Sequence, residues 1–365
     1  MTGVRVGVIG CGNVCPAYLK AAKTFPVLDI VALSDATPEA ARARSEEFGV
    51  PARSVEDVLA DPAIEIILNL TIPRSHVDVG LRAIAAGKHV YSEKPLGVTV
   101  AEARRLVEAA KARRLRLGSA PDTFLGGAHQ TARSCVDHGL IGRPVGGTAF
   151  FMCPGHERWH PSPGFYYLAG GGPMLDMGPY YVTDLINLLG PVASVVGVGT
   201  RTRRERLITS EPLAGSRIPV EVPTHVTGVL TFVGGATVSM TMSFDVSRHR
   251  HGPIEVYGES GSLIVPDPNH FGGKVEVATA AEDWREVPVR RAYADGNYRI
   301  LGLADMARAI RTGRPHRASG DLAFHVLEVM EAFQKSSESG AAVAIASRPE
   351  RPAPMPASLK AGDLG

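Results

Sequence analysis

Residues 4–15 read VRVGVIGCGNVC. The opening run, VRVGVIG, is apolar in the manner of a strand buried on both faces of a parallel sheet. It enters a glycine turn, GCGNVC at 10–15, and beyond it AYLKAAKTF (17–25) has helical spacing. DIVALSD (29–35) is a second apolar strand that closes on Asp35. Strand, glycine turn, helix, strand and acid follow one another within 35 residues. That order is what a dinucleotide-binding unit requires.

Each part of this stretch has a physical task. Gly10 permits the tight turn, and Gly12 lets the backbone approach a pyrophosphate held at the positive end of the helix. Cys11, Asn13 and Val14 complete the loop. Cys15 stands at the third fingerprint position and is small enough for close helix–strand packing. Asp35 is placed to accept hydrogen bonds from both hydroxyls of an adenosine ribose. It would repel a 2′-phosphate, and Ala36 and Thr37 supply no cation to hold one, while Arg42 and Arg44 lie further along. The expected cofactor is therefore NAD(H), with NADP(H) disfavoured.

The alternation continues outward. TPEAARARSEEFG is helical, EIILNLTIP a strand, RSHVDVGLRAIAAG a helix, HVYSEKP a strand, VAEARRLVEAAKARR a helix and LRLGSAPD a strand. This predicts an α/β Rossmann domain with a parallel sheet over residues 1–122. Ligands on such sheets sit outside the carboxyl ends of the strands. Those ends carry Thr71, Pro73, Glu93, Lys94, Pro95 and Asp122, with His76 close behind. All but Asp122 are assigned to the cofactor; Asp122 is assigned to the substrate. Lys94 has two readings, a proton donor beside a nicotinamide or a surface lysine before a turn.

After Asp122 the pattern changes. A helix, GGAHQTARSCVDHG, is followed by runs of period-two character: VGGTAFFM, SVVGVGTR, HVTGVLTFV, ATVSMTMSF, IEVYG, SLIVPD and KVEVATA. VGGATV and GESGSL read as hairpin turns. An open, mostly antiparallel sheet with helices is expected for residues 123–346, an α+β domain for substrate binding and oligomer contacts. The run from 347 to 365 is Pro/Ala-rich and reads as a loosely held tail or an extended arm. Within the second domain, GGGPMLDMGPYY (170–181) looks like the approach to a helix, which would put Asp176 and Tyr180 on one face. PGHERWHPSPGFYY (154–167) reads either as an aromatic loop that caps the core or as a surface of rings and hydrogen-bonding groups for a sugar, with His156, Trp159 and His160 as candidate contacts. SRHRHG (247–252) reads as a solvated edge or an interface.

The charge balance, 39 basic against 37 acidic residues for a net +2, gives no reason to expect a nucleic-acid or membrane partner. The four cysteines form no CxxC pair, and no His/Cys cluster has zinc-like spacing, so reduced thiols in a cytoplasmic protein without a metal are expected.

Three segments together, VGVIGCGNV…SD, IPRSH…AGKHVYSEKPL and GGGPMLDMG, resemble the glucose-fructose oxidoreductase / inositol dehydrogenase / MocA-like (Gfo/Idh/MocA) family. The resemblance extends from about Val4 to about Ala346. It implies an NAD(P)-dependent oxidoreductase of sugars or polyols, assembled as a homodimer or homotetramer through the back of the second sheet. It implies that Lys94 is the catalytic lysine, followed by a proline that is often cis, and that Asp176 binds the reacting hydroxyl or orients the catalytic group. Many members carry a histidine four residues after that aspartate; this chain has Tyr180. A second aspartate seven residues on is Thr183 here, with Asp184 one step further. Three readings of Tyr180 stay open: a proton acceptor supported by the Lys94 ammonium, a positioning group beside a proton-transferring Lys94, or an aromatic wall. A glycoside-cleaving enzyme with transient oxidation and a non-catalytic dinucleotide-binding protein are the alternatives to net redox chemistry.

Overall fold

The computed structural model describes residues 3–365. From the N-terminus, β1 (Val4–Ile9), α1 (Cys15–Ala22), β2 (Leu28–Ser34), α2 (Pro38–Phe48), α3 (Val55–Ala60), β3 (Ile66–Asn69), α4 (His76–Ala85), β4 (His89–Ser92), α5 (Val100–Ala112) and β5 (Leu117–Ser119) alternate as the sequence predicts. The five strands make one parallel sheet in the order β2-β1-β3-β4-β5. Its interior is the apolar runs themselves: Val4, Val6, Val8, Ile66, Ile67, Leu68 and Val90 are fully buried. The order reverses at β1, so the carboxyl ends of β1 and β3 form the switch point where ligands of such sheets bind. Local chemistry sets the helix starts. Thr99 caps α5 by accepting from the Glu102 N–H, the T-x-x-E pattern of a capping box.

The chain then forms α6 (Gly127–Asp137), β6 (Pro144–Met152), α7 (Pro173–Leu189), β7 (Val192–Thr200), β8 (Glu205–Leu207), β9 (Arg217–Pro219), β10 (His225–Phe232), β11 (Thr237–Ser243), β12 (Ile254–Gly258), β13 (Gly261–Val265), β14 (Val275–Thr279), β15 (Arg285–Val287), α8 (Leu301–Thr312), α9 (Gly320–Ser339) and β16 (Val343–Ala344). Nine of these strands build an open sheet, β15-β14-β13-β12-β6-β11-β10-β7-β16, antiparallel except where β11 runs parallel to β6. The expected hairpin turns join β10 to β11 and β12 to β13. On one face of the sheet Val196, Val198 and Val229 are exposed, with Val196 and Val229 paired across β7 and β10. β8 and β9 pair separately.

The compact units do not divide at residue 122, and no tail separates at 347. One unit holds the residues up to Gln130 together with Arg291–Leu327 and Pro352–Gly365; the other holds Thr131–Arg290 and Glu328–Arg351. The return of the chain to the first unit has a clear cause. The Ser119 N–H donates to the Ala318 carbonyl at 3.1 Å, extending the pairing of β5. The final segment is tied down rather than loose. Arg317 donates to the carbonyls of Ala353 (3.1 Å) and Pro354 (3.2 Å), the Met355 N–H reaches Gln130 Oε1 at 2.7 Å, and Met355 and Leu364 are buried.

Asp122, expected as a substrate contact, takes part in this return. Its carboxylate is buried, and one oxygen, Oδ2, accepts from the Ile300 N–H (3.0 Å) and the Gly302 N–H (2.9 Å) at the start of α8. Burial outweighs those two bonds and pushes its pKa up to about 6. A carboxyl whose pKa is higher folded than unfolded binds its proton more tightly in the folded state. The stability linked to that proton is complete below about pH 4 and is lost as pH rises through about 6. The loss amounts to roughly 2–3 kcal/mol. Asp122→Asn keeps an oxygen for both amides and removes the charge. It is therefore expected to raise stability at pH 8 and to flatten the stability profile between pH 4 and 6. Urea denaturation at pH 4, 6 and 8 checks this; a variant less stable than the native protein at pH 8 rejects it.

Candidate active site

The dinucleotide half of the site follows from the turn after β1. Gly10 has φ +110°, and a Cβ there would lie 2.4 Å from the Leu70 carbonyl carbon, so no other residue fits. The carboxylate of Asp35 braces the turn: Oδ2 accepts from the Cys11 N–H at 2.7 Å and Oδ1 from the Thr37 N–H at 2.8 Å. An ionised carboxylate has about four acceptor positions, so lone pairs remain for ribose hydroxyls. Cys11 turns its thiol inward to the Ser34 carbonyl, and Cys15, the first residue of α1, is fully buried. Gly12 and Asn13 are exposed; a Cβ at Gly12 would meet nothing within 4 Å. Val14 begins α1 with no side-chain cap. An open glycine against an uncapped helix N-terminus fits a pyrophosphate, and Gly10–Val14 with Asp35 would hold the dinucleotide.

Further along the same rim, Thr71 donates its hydroxyl to Asn69 Oδ1 at 2.7 Å, and Pro73 opens a short 3₁₀ turn. His76, expected as a cofactor contact, is a link within the protein. It is buried, with Nδ1 2.7 Å from the Pro95 carbonyl and Nε2 2.9 Å from the Thr71 carbonyl, so it ties the turn after β3 to the turn after β4. Burial lowers its pKa from the ordinary imidazole value. Glu93 is also buried. Its Oε1 accepts from the Tyr18 hydroxyl at 2.7 Å and its Oε2 from the Lys94 N–H at 2.7 Å. The backbone of Lys94 is thus fixed from α1, and its side chain is half-buried before a cis bond to buried Pro95. Tyr18 was not among the expected site residues, and nothing local in AYLKAAKTF distinguishes it. Ile72, 66% exposed on this rim, was missed as well.

In the second unit, GGGPMLDMGPYY becomes the start of α7. Gly172 has φ +91° at the N-cap and Pro173 follows at the first helical position. Asp176 lies in the first turn, where the helix favours a negative charge. Tyr180 is one turn on and buried. Asp184 is fully buried and accepts from Asn187 Nδ2 at 3.2 Å, so it serves the core.

The loop after β6 brings His156 to Asp176, with Nε2 3.1 Å from Oδ2. The indole N–H of Trp159 donates to His156 Nδ1 at 3.2 Å. Of the residues nominated in that loop, His156 and Trp159 therefore join Asp176 directly. His160 lies against the Trp159 ring (5.3 Å between centroids) and accepts the Ser162 N–H. Outside this group, His251 of SRHRHG stacks on Phe150 at 4.3 Å.

A buried ion cluster that the sequence reading missed supports the loop. Arg206 on β8 pairs with Glu157 (3.0 Å) and Asp245, and donates to the carbonyls of Pro154 (3.3 Å) and Phe244 (2.9 Å). The Tyr167 hydroxyl donates to Glu157 and accepts from the His156 N–H at 3.1 Å. The loop after β6, the segment after β11 and strand β8 are thereby pinned together around the backbone of His156. Among the described residues, no group of three or more His, Cys, Asp and Glu side chains could hold a metal ion, and no helix is long and apolar enough to cross a membrane.

An open glycine turn at the switch point of a Rossmann sheet marks a dinucleotide-binding unit, and the second unit carries an acid–imidazole pair at the start of α7. Residues 4–120 match the oxidoreductase family with the NAD-binding Rossmann fold, and residues 129–264 match the GFO/IDH/MocA C-terminal domain. The 1,5-anhydro-D-fructose reductase of Ensifer adhaerens is 30% identical over 268 residues, 71% of this chain and 75% of that protein. The inositol 2-dehydrogenase of Pseudomonas fluorescens is 28% identical over 96% of this chain and 98% of that protein. A levoglucosan dehydrogenase structure in complex with NADH and L-sorbose shares the fold, with a TM-score of 0.83 at 21% identity over 95% of this chain and 100% of that one. The chain belongs to the Gfo/Idh/MocA oxidoreductase family.

Proposed function

We propose that the protein transfers a hydride between NAD(H) and a ring hydroxyl or ketone of a sugar, glycoside or inositol, with Lys94, Asp176 and Tyr180 handling the proton. The observation that carries this reading is the rim of the five-stranded sheet. The open Gly10–Val14 turn, Thr71 and Lys94 follow three adjacent strands, and the lysine backbone is held by buried Glu93. Bound NAD supplies the hydride acceptor. The chain's own contribution is to hold the substrate hydroxyl, through Asp176, and to take its proton. Relatives named as a reductase of an anhydro-sugar and as an inositol dehydrogenase support the substrate class. The test follows NADH absorbance with a panel of sugars, inositols and glycosides. Net reduction supports the proposal. Glycoside cleavage without net NADH, or tight NAD binding with neither reaction, replaces it with one of the alternatives.

NAD(H) is expected to be preferred over NADP(H). Asp35 is fixed at both oxygens, and the nearest arginines are engaged, Arg42 with Glu39 and Arg44 with Glu47. Asp35→Ala combined with Ala36→Arg should move the kcat/KM ratio toward NADP(H) by about tenfold or more, the effect of one favourable contact of about 1.4 kcal/mol. Equal use of both cofactors by the native protein would sink the expectation. We place homo-oligomer contacts on the exposed valine face of the nine-stranded sheet. Light scattering should give a mass of two or four chains, and a monomer at all concentrations rejects the assignment.

A further inference from the structure

The bond directions around His156 can be worked out. An indole N–H donates and cannot accept, so the 3.2 Å contact from Trp159 makes His156 Nδ1 the acceptor. In a neutral imidazole the proton then lies on Nε2, which donates to Asp176 Oδ2 at 3.1 Å. The chain runs in one direction, from an indole 61% exposed, through a buried imidazole, to a carboxylate in the first turn of α7. The imidazole has little freedom to do otherwise. Its ring lies 4.4 Å from Tyr166 and 4.6 Å from Phe244, and its backbone N–H is held by the Tyr167 hydroxyl. Behind Tyr167 stands the Arg206–Glu157–Asp245 cluster.

We propose that His156 is a positioning residue: its Nε2–H holds the Asp176 carboxylate in one orientation, and Trp159 secures the tautomer that does so. This rests on the reading of Asp176 as the group that binds the substrate hydroxyl. A carboxylate with one oxygen fixed offers the hydroxyl a defined direction, and a displacement of about 1 Å can cost about 10²-fold in rate. Because Trp159 lies at the exposed end of the chain, a sugar resting on its ring would touch the same unit that orients Asp176.

Two measurements test the proposal, one of which needs no substrate. Histidine ¹⁵N spectra of the native protein, with the His156 signals assigned by their loss in His156→Gln, report the tautomer directly. A neutral ring protonated on Nε2 is expected at pH 8. A ring protonated on Nδ1, or on both nitrogens, overturns the proposal. The second measurement is turnover with whichever panel substrate is active. His156→Leu should lower kcat about 10²-fold with NADH affinity unchanged. His156→Gln, whose amide N–H stands where Nε2–H stood, should restore kcat to within about threefold of the native value. If Gln is as slow as Leu, the ring itself exchanges the proton and the positioning role is wrong; a near-native Leu variant is equally fatal to it. If no panel substrate turns over, it is the proposed reaction that fails, and the spectra still decide the tautomer.

Discussion

Arg206→Leu should destabilise the second unit by about 3–5 kcal/mol, the cost of removing one partner from a buried ion cluster. Arg206 is 2% exposed; of its two carboxylate partners Glu157 is buried and Asp245 is partly buried, its side chain 10% exposed. Leucine fills part of the volume but leaves two carboxylates facing each other without a cation. Some bonds survive the change. Glu157 keeps the Tyr167 hydroxyl, and Asp245 keeps the Thr224 hydroxyl at 2.6 Å. Neither replaces a charge. The cation also lies 5.3 Å from the Tyr167 ring centroid, so packing is lost together with electrostatics. The diagnostic comparison adds Glu157→Gln and Asp245→Asn to Arg206→Leu. If uncompensated charge causes the loss, the triple variant should be more stable than Arg206→Leu alone. Urea denaturation of the three proteins measures it. A single variant within 1 kcal/mol of native, or a triple variant less stable than the single, would show that the cluster is not an electrostatic support.

Arg206 also shows where the sequence stops being legible. In RTRRERL, residues 201–207, period-two alternation points Leu207 inward with Glu205 and leaves Arg206 among the solvated arginines. The structure has the reverse, with Leu207 50% exposed and Arg206 buried. The partners that make a buried arginine tolerable lie 49 and 39 positions away, beyond the reach of any local pattern. Asp122 fails for the same reason: its partners at 300 and 302 arrive only when α8 returns to the first sheet. His76 looked available because it follows a strand end, yet both ring nitrogens face carbonyls of neighbouring turns. In contrast, the five-stranded sheet was legible because buried parallel strands are continuous apolar runs, and Gly10 because only glycine meets its steric demand. His156 and Asp176 were each legible as chemistry-bearing residues. Their pairing was not, because it depends on how a 20-residue aromatic loop folds back onto the head of α7.

The largest effect on catalysis is expected at Lys94. Lys94→Ala should lower turnover by about 10²-fold or more, the scale of losing a general acid–base group, with little change in NADH affinity. The affinity should hold because the turn is built from other atoms. Glu93 takes the Lys94 backbone N–H and the Tyr18 hydroxyl, and neither bond involves the lysine side chain. Gly10–Val14 and Asp35 keep their own network around the Cys11 and Thr37 amides. Alanine alone would not separate a proton-transferring ammonium from a fixed positive charge, and Lys94→Arg does. A guanidinium keeps the charge but cannot give up its proton in the working pH range. If Lys94 moves the proton, arginine should be as slow as alanine; if it only stabilises charge on the reacting oxygen or on Tyr180, arginine should recover much of the rate. Tyr180→Phe completes the assignment. It removes one oxygen from a buried ring, so a fall in kcat comparable to that of Lys94→Ala, with KM little changed, would place the phenol in the proton path. A silent Tyr180→Phe beside slow Lys94→Ala and Lys94→Arg would leave the lysine as the group that exchanges the proton. Near-native turnover in Lys94→Ala would return Lys94 to the plain reading of a lysine that precedes a turn.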